Sequence, residues 1–71
     1  MAKVRMDKFK LDDHRVYQII IENNGWCMAY PVVYRGQIWD IGELRKCLNY
    51  AHKWGIEKEV NELLNELLKK E

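Results

Sequence analysis

Apolar and polar side chains largely alternate through the first half of the chain, whereas beyond residue 41 the apolar ones recur every three or four positions. The first period belongs to strands and the second to helices. Val16 to Glu22 (V-Y-Q-I-I-I-E) is rich in β-branched and aromatic residues and predicts a strand. Asn24-Gly25 follows, a dipeptide suited to a type I′ hairpin because both central residues of that turn need positive φ. A second strand is predicted from Trp26 to Arg35. A turn at Asn24-Gly25 pairs Ile21 with Met28, Ile19 with Tyr30 and Tyr17 with Val32, all on one face.

Hydrogen-bond parity selects the next turn, because a residue that bonds one neighbouring strand faces away from the other. A loop at Gly36-Gln37 satisfies it, with glycine in the first central position of a type II′ turn. Tyr34 then pairs with Trp39 and Val32 with Ile41, and Pro31 falls where its missing N–H breaks no ladder bond. This register puts Tyr17, Tyr30, Tyr34 and Trp39 on one face. The other face presents Val16, Ile20, Ala29, Pro31, Val33 and Ile38, with Phe9 added if an N-terminal strand forms.

Asp40 has the chemistry of an N-cap, with Glu43 three residues on as a capping-box partner. Ile41, Leu44, Leu48 and Ala51 form the apolar stripe of a helix over 42–54. Gly55 predicts its left-handed stop, with Ile56 folding back on the last turn. Val60, Leu63, Leu64, Leu67 and Leu68 mark a second helix within 56–70, with acids leading and lysines closing it. Residues 1–13 read either as an edge strand, paired with 15–22 through Asp12-Asp13, or as a flexible arm. The expected fold class is therefore α+β. An antiparallel β-meander of three or four strands, centred on 14–41, is followed by two amphipathic α-helices packed on one sheet face. The whole of 1–71 is expected to be a single domain.

Composition narrows the function classes. Lys and Arg number 12 against 11 Asp and Glu, a formal net charge of +1. Neither a strongly basic nucleic-acid protein nor an acidic mimic is balanced this way. Two cysteines are too few for a secreted disulfide framework. Reduced thiols in a cytoplasm are expected, with a Cys27–Cys47 bridge as the other reading. Met1 to Lys10 has no apolar core of the signal-peptide kind, and the apolar run Trp26 to Tyr34 is too short to span a bilayer. No membrane association is expected.

His14, Cys27, Cys47 and His52 are a zinc-like set without a C-x₂₋₄-C clasp, so no metal or cofactor is expected. Asp12-Asp13-His14 reads as a solvated turn. No nucleophile, base and orienting group line up, and no phosphate-binding glycine loop is present, so neither an enzyme nor a small-molecule substrate is expected. Surfaces remain. Val16, Ile20, Ala29, Val33, Arg35 and Ile38 are the candidate partner-binding residues, because two helices cover only one face of a small sheet and an apolar patch with a polar rim marks a docking surface. The competing reading is single-stranded nucleic acid bound by the basic segment Lys3, Arg5, Lys8, Lys10 and Arg15.

Tyr17 to Trp54 carries I-I-I-E, a Gly-Trp hairpin, a proline in the following strand, then a glycine and an amphipathic helix. In this order it resembles the small β-β-β-α module of HicB-type antitoxins, without that family's Gly-Cys step or a following DNA-binding segment. The resemblance implies a non-catalytic inhibitor that adds its edge or face to a partner. The expected function is a small regulatory binding protein, of the kind phages and plasmids encode as inhibitors, acting on a protein partner or on itself as a homodimer.

Overall fold

The computed structural model describes residues 1–70. Four strands, β1 (Lys3–Leu11), β2 (His14–Asn23), β3 (Trp26–Tyr34) and β4 (Gln37–Ile38), form an antiparallel sheet in chain order. Helices α1 (Ile41–Lys53) and α2 (Glu57–Leu68) follow and pack on one face of it. The N-terminal segment is thus a strand, paired with β2 without interruption from Lys3↔Glu22 to Leu11↔His14. Asp12 turns the chain at φ 55, a conformation aspartate tolerates better than most residues. None of the described helices is long and apolar enough to cross a membrane.

The Asn24-Gly25 hairpin forms as expected. Both residues have positive φ, and Ile21↔Met28 and Ile19↔Tyr30 are partners. Beyond Pro31 the expected register fails. Gln18 faces Pro31 but Tyr17 faces Val33, so Val32 is an extra residue, a β-bulge. The second hairpin turn shifts with it, from Gly36-Gln37 to Arg35-Gly36, both at positive φ (55 and 76). Tyr34 now pairs with Gln37 and Val33 with Ile38, while Trp39 N–H donates to the Val32 carbonyl at 2.8 Å.

Apolar burial favours the bulge, and Pro31 offers no resistance, because its backbone nitrogen is directed away from β2 where no ladder bond is made. The extra residue lets two consecutive valines enter one core: Val32 and Val33 are both fully buried in the helix-side cluster. Burying a valine contributes roughly 1.5–3 kcal/mol, more than a single net hydrogen bond of about 1 kcal/mol.

The helix-side core joins Tyr17, Ile19 and Ile21 of β2 and Tyr30 of β3 to Leu44, Cys47 and Ala51 of α1 and Val60 and Leu67 of α2. Asp40 caps α1, its Oδ1 accepting from the N–H groups of Gly42 (2.9 Å) and Glu43 (3.2 Å). Ile41, expected in the apolar stripe, sits in the first turn and is 56% exposed; Cys47 takes its place in the core. At the other end Gly55 adopts φ 71, and the bonds Ile56 N–H to Ala51 C=O and Gly55 N–H to His52 C=O complete a Schellman stop. Ile56 is buried there and leads directly into α2. Trp26, Tyr50 and Trp54 close the layer at the Asn24-Gly25 end, with ring centroids 5.0–5.2 Å apart.

Truncation at the centre of this core should be severe. Ile19→Ala is expected to cost about 2–5 kcal/mol, a large share of the stability of so small a fold. Its melting temperature should fall by more than ~10 °C. Ile41→Ala should melt within ~2 °C of wild type. Equal melting of the two variants, followed by circular dichroism, would contradict this placement of the core.

Candidate functional site

The sheet face turned away from the helices is the candidate site. By register it carries Lys3, Arg5, Asp7, Phe9 and Leu11 of β1, His14, Val16, Gln18, Ile20 and Glu22 of β2, and Cys27, Ala29, Pro31 and Tyr34 of β3. The bulge decides the last of these. It turns Tyr34, and with it Trp39, away from the helices.

Phe9, Val16 and Tyr34 stand in one row across three strands. The Trp39 ring lies 6.5 Å from Phe9 and 6.1 Å from Tyr34, centroid to centroid. Val16, in the middle of this row and on the face turned away from the helices, is fully buried. His14 extends the cluster, edge-on to Tyr34 at 5.9 Å. Trp39 and Phe9 remain 43% and 40% exposed. A surface hollow of about 360 Å³, lined by Tyr34, Arg35 and Gln37, adjoins them. Further along, Ile20 is buried between Arg5 and Ala29 in the ladder, and Arg5 Nε donates to Glu22 Oε1 at 3.1 Å.

The expected docking residues are therefore only partly brought together. Val16, Ile20 and Ala29 lie on the open face as expected, the first two buried within it and Ala29 exposed. Val33 and Ile38 do not. The bulge puts Val33 in the helix-side core and its partner Ile38 at the edge of that same side. Arg35 occupies the exposed β3–β4 turn. The aromatic set also divides: Tyr17 and Tyr30 are core, whereas Tyr34 and Trp39 are surface. The signal for the missed pair was Pro31 followed by two valines, where a bulge buries more apolar surface than a regular ladder.

The five cations of the nucleic-acid reading divide as well. Lys3 and Arg5 lie on the open face opposite Glu22 and Ile20, while Lys8, Lys10 and Arg15 belong to the helix side of the sheet. Cys27 and Cys47 are both free. The first is exposed on the open face and the second is buried on the sheet-facing side of α1, so the sheet separates them and the bridge reading is corrected. Burial pushes the Cys47 thiol up to about 11, leaving almost no thiolate at neutral pH. Among the described residues no three His, Cys, Asp or Glu side chains gather as metal ligands.

One polar atom stands out in the core. The Tyr30 hydroxyl is buried without a hydrogen-bond partner. Burial first, then the nearby Tyr50, Cys47 and Glu43, raise its pKa to about 12. Its unmet hydrogen bond costs about 1–3 kcal/mol.

Compared with known proteins, the chain matches no family model, no curated protein and no solved structure.

Two outcomes follow from the buried phenol and thiol. Tyr30→Phe removes an unsatisfied group, so it should melt at or above the wild-type temperature, with a gain of about 1 kcal/mol. For pH, both groups hold their proton more tightly folded than unfolded. Their contribution is complete below the ordinary values of 9.0 and 10.0 and is lost as pH rises toward about 11 and 12. Denaturant unfolding should show stability falling from about pH 9 upward. The fall should be shallower in Tyr30→Phe and Cys47→Ala, and identical slopes in all three proteins would refute the assignment.

Proposed function

We propose that this is a non-enzymatic regulatory protein that binds a protein partner on the open sheet face and acts by occupying that partner's surface. The observation that carries the reading is the Phe9–Trp39 pair. Two large aromatic rings in mutual contact are left 40% and 43% exposed. Half-exposed aromatics on a rigid sheet are the side chains that dominate protein–protein binding energy, because they bring large apolar area at small conformational cost. Tyr34 and His14 extend this anchor, Ala29 and Pro31 continue it, and the Arg5–Glu22 pair forms a polar rim. The fitting partner offers an apolar cleft with few charges. A reducing, cytoplasmic setting suits the exposed free thiol of Cys27.

A second reading, single-stranded nucleic acid stacked on Trp39 and Tyr34, draws support from those two rings being at the surface. It is weakened by charge. Arg5 is engaged by Glu22, and Lys8, Lys10 and Arg15 belong to the opposite side of the sheet.

Trp39→Ala tests both readings. Because the ring is nearly half exposed, the variant should melt within several degrees of wild type, a loss of about 1 kcal/mol. It should weaken binding to a partner captured by the wild type at least ~30-fold, the effect of a hot-spot aromatic. Calorimetric affinity should change little with salt. Unaltered affinity in Trp39→Ala, or binding to an oligonucleotide that collapses as salt rises, would overturn the proposal.

A further inference from the structure

The sheet has one long free edge. Strand β1 is outermost and runs nine residues, whereas β4 at the other edge has only two. The closing pair Leu11↔His14 of a two-residue turn is a hydrogen-bonded pair. The odd residues of β1 therefore bond β2, and Val4, Met6, Lys8 and Lys10 turn their N–H and C=O groups outward. The Lys8 N–H is indeed outside the ladder, donating to Asp7 Oδ1 at 2.7 Å. Edge strands are usually blunted by proline or a bulge. β1 has neither; its protection is charge, with Lys3, Arg5, Asp7, Lys8 and Lys10 along it.

Such an edge accepts only a strand whose charges complement it. We propose that this strand is β1 of a second copy, paired antiparallel about Met6 to give a two-fold dimer with one continuous sheet. Parity restricts a two-fold pairing to registers centred on a single residue. Centring on Arg5 sets Arg5 against Arg5, on Asp7 sets Asp7 against Asp7, and on Lys8 sets Lys8 against Lys8. Centring on Val4 sets Lys3 against Arg5. Each opposes like charges directly. Centring on Met6 instead sets Arg5 opposite Asp7 of the second copy, twice by symmetry, Val4 opposite Lys8 and Lys3 opposite Phe9.

No like charges meet in that register. Arg5 is already oriented on the sheet by Glu22, and Asp7 exchanges the Lys8 N–H for Arg5 of the second copy. The freed Lys8 N–H then bonds the Val4 carbonyl across the interface, and the outward pairs centred on Met6 each exchange both backbone bonds. This surface is the edge, distinct from the aromatic face proposed above. Pairing there leaves Phe9 and Trp39 uncovered and sets two such faces side by side.

Sedimentation equilibrium from micromolar to millimolar concentration tests the proposal on the wild type, Lys8→Pro, Asp7→Arg, Arg5→Glu/Asp7→Arg and Trp39→Ala, with circular dichroism checking each fold. Lys8 is exposed and its N–H is not used by β2, so proline leaves the β1–β2 ladder intact and removes, besides the interface bond, only the local bond to Asp7 Oδ1. The expected result is a wild-type dimer, at least tenfold weaker in Lys8→Pro and in Asp7→Arg, regained in the double variant and unaffected in Trp39→Ala. A wild-type monomer throughout the range overturns the proposal. So does a dimer that survives Lys8→Pro and Asp7→Arg, or one that only Trp39→Ala dissolves, which would place self-association on the open face instead.

Discussion

The bulge at Val32 determines how the rest of the molecule is dressed. With a regular ladder, side chains after Pro31 would alternate so that only one of the two valines met the helices. One inserted residue buries both, and from there the face of every later strand position is exchanged. Ile38 moves to the helix side, while Tyr34 and Trp39 move to the open side. Both valines thereby enter the helix core, and the rings of Tyr34 and Trp39 are displaced to the other face, beside Val16. A single choice between ladder hydrogen bonds and apolar burial thus makes both the core and the candidate binding surface.

Features encoded by a few neighbouring residues were legible in the sequence. Asn24-Gly25 sets its turn through positive φ, Asp40 caps α1 through its own carboxylate, and Gly55 with Ile56 ends that helix, all within one turn of chain. The α+β layering was legible for the same reason, since the change of apolar period at residue 41 is local. The facing of residues 32–39 was not. It depends on a comparison between two whole arrangements of the core, and the decisive term, the joint burial of Val32 and Val33 against side chains of helices that follow them in the chain, is tertiary. The candidate site inherits this division. Phe9, Val16, Ile20 and Ala29 precede the bulge and keep the face that simple alternation gives them, whereas Val33 and Ile38 follow it and change face.

Charge is distributed to suit such a surface. The open face carries Lys3, Arg5, Asp7 and Glu22 in balance, with Arg5 and Glu22 joined directly. The remaining cations of β1 and β2 lie on the side that the helices flank. Exposed aromatics beside a neutralised rim select for shape and apolar contact, and less for long-range attraction. The unpartnered hydroxyl of Tyr30 belongs to the opposite face: it is a small internal inefficiency beneath α1 that leaves the open face untouched.

The order of strands along the chain also shapes how the molecule assembles. Every strand pairs with its immediate neighbour in sequence, and α1 packs on β3, which it closely follows. These contacts close short loops and form quickly. α2 reaches furthest back across the sequence, resting on β1 as well as on β2 and β3. Its docking brings together the most distant segments, because Val4 and Met6 of β1 pack against the core cluster that contains Leu67. Until that step β1 is held by a hairpin alone, so the outer edge of the sheet is the last part of the molecule to become rigid and the first to loosen.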